Sequence, residues 1–65
     1  MTRLEVAARR FHDLAVQISW IEDDLAMAKR SGYPAETARI ERVIAALKEE
    51  RAELGRELET SRRAE

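Results

Sequence analysis

LEVAARRFHDLAVQISWIEDDLAMA, residues 4–28, places Leu4, Ala7, Phe11, Leu14, Ile18, Ile21, Leu25 and Ala28 in unbroken alternating steps of three and four. That spacing is the seam of a coiled coil. Beyond Ser31-Gly32-Tyr33-Pro34 the pattern resumes as Ile40, Ile44, Leu47, Arg51, Leu54 and Leu58. The chain therefore reads as all-α: an antiparallel two-helix coiled-coil hairpin, expected to dimerise into a four-helix bundle.

Local signals set the boundaries. Thr2-Arg3-Leu4-Glu5 reads as a capping box, with the Thr2 hydroxyl accepting from the Glu5 amide and the Glu5 carboxylate reaching back to the Thr2 amide. Gly32 supplies the left-handed conformation that closes a helix, Tyr33 can fold back on the last turn, and Pro34 suits a first helical position. Glu36 favours the positive end of the second helix. A single domain over residues 1–65 follows, with helix 1 at about 3–30, a turn at 31–33, helix 2 at about 34–60 and a frayed tail at 61–65. Each arm would be about 40 Å long.

The alignment of the arms follows from the heptads. With Leu4, Phe11, Ile18, Leu25, Ile44, Arg51 and Leu58 at a and the alternate seam residues at d, an antiparallel pair stacks a against d. Folding at Gly32 brings together residues whose numbers sum to 65: Leu25 with Ile40, Ile21 with Ile44, Ile18 with Leu47, Phe11 with Leu54, Ala7 with Leu58. Leu14 faces Arg51, whose methylenes can lie on the seam while the guanidinium reaches solvent or Asp13. The flanks pair Lys29 with Glu41, Glu22 with Lys48 and Arg10 with Glu57. Such pairs select an alignment more than they stabilise it.

Two further stripes lie beside the seam. Ala8, Ala15, Ser19 and Ala26 on helix 1 and Ala38, Ala45 and Ala52 on helix 2 form a shallow small-residue surface, expected to carry self-association. Val16, Trp20 and Met27 cluster well away from the seam, with Val43 and Arg39 of helix 2 on the same side. Large apolar groups pointing away from a hairpin's own core mark contact sites, so these five residues are the candidate partner-binding set. The alternative is that Val43, Ala46 and Arg39 cover Trp20 within the protomer.

Composition narrows the function classes. Sixty-five residues bury too little apolar surface to be comfortably stable alone, which favours association. Charged residues are 38% of the chain but nearly cancel at net −1, giving no bulk attraction to nucleic acid or anionic membrane. There is no Cys, and no apolar stretch is long enough for a membrane span or leader. A cytoplasmic protein is expected. His12 is the only His and has no companion ligand, the glycines are isolated at Gly32 and Gly55, and the acids Glu22-Asp23-Asp24 and Glu49-Glu50 lie on helical surface. Neither metal, cofactor nor catalytic group is expected, and the chain does not read as an enzyme. The alternative is a Rop-like dimeric RNA-binding regulator. Against it, Arg9, Arg10, Arg30, Arg39, Arg42 and Arg56 are interleaved with acids and form no continuous basic track.

Through its opening Met1-Thr2-Arg3-Leu4-Glu5, its Gly32-Tyr33-Pro34-Ala35-Glu36 turn and its Ala45-Ala46-Leu47 stretch, the chain resembles the small helical-hairpin co-chaperones of type III secretion needle subunits. The resemblance implies a cytoplasmic protein that, with a second chaperone, sequesters an aggregation-prone export substrate on exposed apolar helix surface. Trp20 and its neighbouring acids have no counterpart in that pattern. The functional expectation is a non-enzymatic protein–protein interaction module, an adaptor, co-chaperone or inhibitor, that buries apolar helix surface on itself and on a larger partner.

Overall fold

Thr2 opens the first helix from an extended conformation (φ −77°, ψ 159°), its hydroxyl accepting from the Glu5 amide at 3.1 Å. The same hydroxyl donates to Glu5 Oε1 at 3.1 Å. The reciprocal contact of the box is thus made hydroxyl to carboxylate, rather than through the expected Thr2 amide. The structure is a computed structural model and describes residues 2–64. Helix α1 runs Arg3–Ser31 and helix α2 runs Pro34–Ala64.

The turn closes as its sequence implies. Gly32 sits at φ 75°, ψ 37°, where a Cβ costs about 1–2 kcal/mol and glycine costs nothing. Its amide donates to Lys29 O at 3.3 Å and the Tyr33 amide to Ala28 O at 3.2 Å, the bond pair of a Schellman motif. The Tyr33 carbonyl then accepts from Thr37 N at 2.9 Å, so α2 begins one residue after the motif ends, with Pro34 first in the helix. Tyr33 stays 64% exposed and borders a depression together with Met27, Ala28 and Ser31 of the last turns of α1.

Helix α2 continues past the expected end at Thr60. The Thr60 hydroxyl donates to Arg56 O at 2.9 Å and Arg63 pairs with Glu59 one turn back at 3.5 Å. Arg62 and Arg63 also lie at the negative end of the helix, where cations are favourable. These local contacts carry the helix through residues 61–64. The expectation of a frayed end at residue 65 lies outside the described residues.

The two helices pack against each other as a rod of 50 × 17 × 13 Å. Ala7, Leu14, Ile18 and Ala28 are buried on α1 and Ile44 on α2, while Phe11, Ile21, Leu25, Ile40, Leu47, Leu54 and Leu58 are half-buried. Leu14 has no exposed surface at all, although it faces Arg51. Arg51 is itself half-buried, and no buried side-chain nitrogen or oxygen among the described residues lacks a partner. Its stem therefore covers the seam while its charged end stays in water. Leu4, nominally a seam residue, is 43% exposed at the open end, where α2 presents Ser61 beside it.

Three ion pairs fix the register. Arg3 meets Glu57 at 3.3 Å and Arg10 meets Glu50 at 3.1 Å on one flank; Lys48 meets Glu22 at 3.8 Å on the other. The numbers sum to 60 on the first flank and 70 on the second, which centres the seam on 65. Ala7 and Leu58 accordingly border one depression together. The expected Arg10–Glu57 pair is not formed. Arg10, Glu50 and Glu57 all occupy g positions, and in this register facing g residues sum to 60, which sends Arg10 to Glu50 and Glu57 to Arg3. No ion pair joins Lys29 to Glu41 among the described residues.

Candidate functional site

The ion pairs also define two faces. On the flank of Arg3–Glu57 and Arg10–Glu50, the next positions outward on α1 are Val6, Asp13, Trp20 and Met27, seven residues apart; on α2 they are Arg39, Ala46 and Glu53. Val43 lies in the same row as the ion-pair residues of α2, one heptad before Glu50. Among the described residues this tryptophan face carries four of the six large exposed hydrophobics: Val6 (52%), Trp20 (65%), Met27 (61%) and Val43 (45%). Trp20 is thus not covered by Val43, Ala46 and Arg39 of its own protomer, and the covering alternative is set aside.

The five candidate partner-binding residues differ in what they present. Trp20 and Met27 are outward. Val16 is half-buried, and with His12, Asp13, Gln17 and Trp20 it lines a shallow depression on α1. It lies one turn from Trp20 and offers less free surface than Trp20 or Met27. Val43 shares the face from α2. Arg39 is 70% exposed along its side chain and engages Glu36 at 3.6 Å within its own helix. Sequence reasoning missed Tyr33, which with Met27, Asp24, Ala28, Glu36 and Ile40 borders a depression where α1 meets the turn. The signal was available: an aromatic residue between a left-handed glycine and a helix-starting proline has no seam to enter.

The opposite face carries small side chains. Ala8, Ser19, Ala26, Ala38, Ala45 and Ala52 are exposed and Ala15 is half-buried, around the Glu22–Lys48 pair. Gly55 also belongs here. A Cβ on Gly55 would stand 3.3 Å from Phe11 Cε2, tighter than ordinary contact, so this glycine lets the ring lie against the α2 backbone. An isolated glycine inside a strong helical pattern is the sequence signal for such a close approach.

Nothing in the geometry assembles reactive groups. Among the described residues no three His, Cys, Asp or Glu side chains are grouped to hold a metal ion, and no helix is long and apolar enough to cross a membrane. His12 lies at the rim of the depression beside Trp20 and is exposed. The candidate site is an apolar surface with charged borders. Comparison of the chain with family models, curated proteins and solved structures finds no match.

Proposed function

We propose that the chain is a non-enzymatic protein–protein interaction module whose tryptophan face docks on a larger protein and whose small-residue face takes a second copy. The observation that carries the reading is a Trp and a Met, each more than 60% exposed, in one row on a 65-residue hairpin. Single exposed apolar residues are ordinary, but an aligned set with the largest side chains outward is a contact surface.

The surface area supports association. The chain exposes 5175 Å², whereas a compact protein of 7.5 kDa would expose about 4,200 Å². The difference of about 900 Å² is close to the roughly 800 Å² that one partner contributes to a standard interface. A rod of two helices cannot bury that surplus on itself, and a neighbour can. The role of adaptor, co-chaperone or inhibitor, and a cytoplasmic setting, belong to this same proposal; the resemblance of the capping and turn residues to secretion co-chaperones points towards sequestration of another protein.

The test compares the native chain with Trp20→Ser. The substitution should leave helicity within a few per cent, because Trp20 lies outside the seam, and should abolish retention of the partner in affinity capture followed by crosslinking. A collapse of helicity would make Trp20 part of the fold, and unchanged capture would remove the docking face.

A further inference from the structure

We draw no further inference here: the strongest candidate, the apolar patch of Trp20, Met27 and Val43 on the tryptophan face, is bordered by the exposed cations Arg9 and Arg42 as well as by the exposed acids Asp13, Asp24 and Glu53, so its charge selects no occupant and nothing in the structure shows what covers it.

Discussion

Replacing Leu14 by Ala should cost this hairpin more than any other single leucine truncation. Leu14 has no exposed surface, so the deletion removes a fully desolvated side chain and leaves a void in the seam layer that it shares with Arg51. Buried Leu→Ala changes cost about 2–5 kcal/mol, the spread reflecting how far the surroundings collapse. Here collapse is restricted, because Arg51 can follow the void only by drawing its guanidinium into the seam. The expected loss is therefore about 3–4 kcal/mol. At roughly 0.05–0.15 kcal/mol per residue, a chain of this length has about 3–10 kcal/mol in total, so the loss removes from about a third to all of its stability. Leu4→Ala is the internal control. It removes the same atoms from a seam position that is 43% exposed at an open end, and should cost under about 1.5 kcal/mol. Urea unfolding followed by far-ultraviolet circular dichroism, both variants at one protein concentration, measures the difference. Equal losses at the two positions, or a Leu14→Ala cost below 1 kcal/mol, would refute the placement of Leu14 at the centre of the seam.

Other outcomes follow from the turn, the flanks and the seam. Gly32→Ala should lower stability by about 1–2 kcal/mol, wholly through the backbone, because a Cβ there meets nothing within 4 Å while φ is 75°; Gly32→Asn should lose less. In a double-mutant cycle, Arg10→Glu and Glu50→Arg should each destabilise and together restore, with a coupling of about 0.2–1 kcal/mol that fades in high salt; the same swap between Arg10 and Glu57 should show none. Arg51→Met keeps an aliphatic stem over Leu14 and removes the charge, so stability should change by less than about 1 kcal/mol and in the favourable direction.

What the sequence disclosed, and what it hid, divides along physical lines. The seam was legible because a period of three and four is sustained over 25 residues, and an antiparallel partner with the same period aligns apolar layers only at seven-residue steps, of which the Gly32 turn selects the one where residue numbers sum to 65. The turn was legible because Gly32 and Pro34 each solve a backbone problem that few other residues can. The Arg10 pairing was misread by one heptad because the seam sum of 65 was applied to a flank whose facing residues sum to 60. The end of α2 was set too early because Thr60 and Ser61 are poor helix formers in isolation; a back-bond to Arg56 and the Glu59–Arg63 pair outweigh that preference. Both stripes beside the seam were visible as periodicity, but their exposure was not. Whether α2 covers Trp20 depends on side-chain reach across the pair, and three-dimensional packing decides it: 65% of the indole residue remains outside. Gly55 was noted only as isolated and Tyr33 only as able to fold back on the last turn, although one admits the Phe11 ring and the other extends the apolar surface at the turn.

The assignment of separate tasks to the two faces can be tested by following Trp20 emission and its quenching by acrylamide across a dilution series, with sedimentation on the same samples. The account predicts an indole that stays red-shifted and quenchable at every concentration, including those at which protomers pair through Ala8, Ala45 and their neighbours. A blue shift and protection from quencher that rise in step with self-association would place Trp20 inside the contact between copies, and would contradict it.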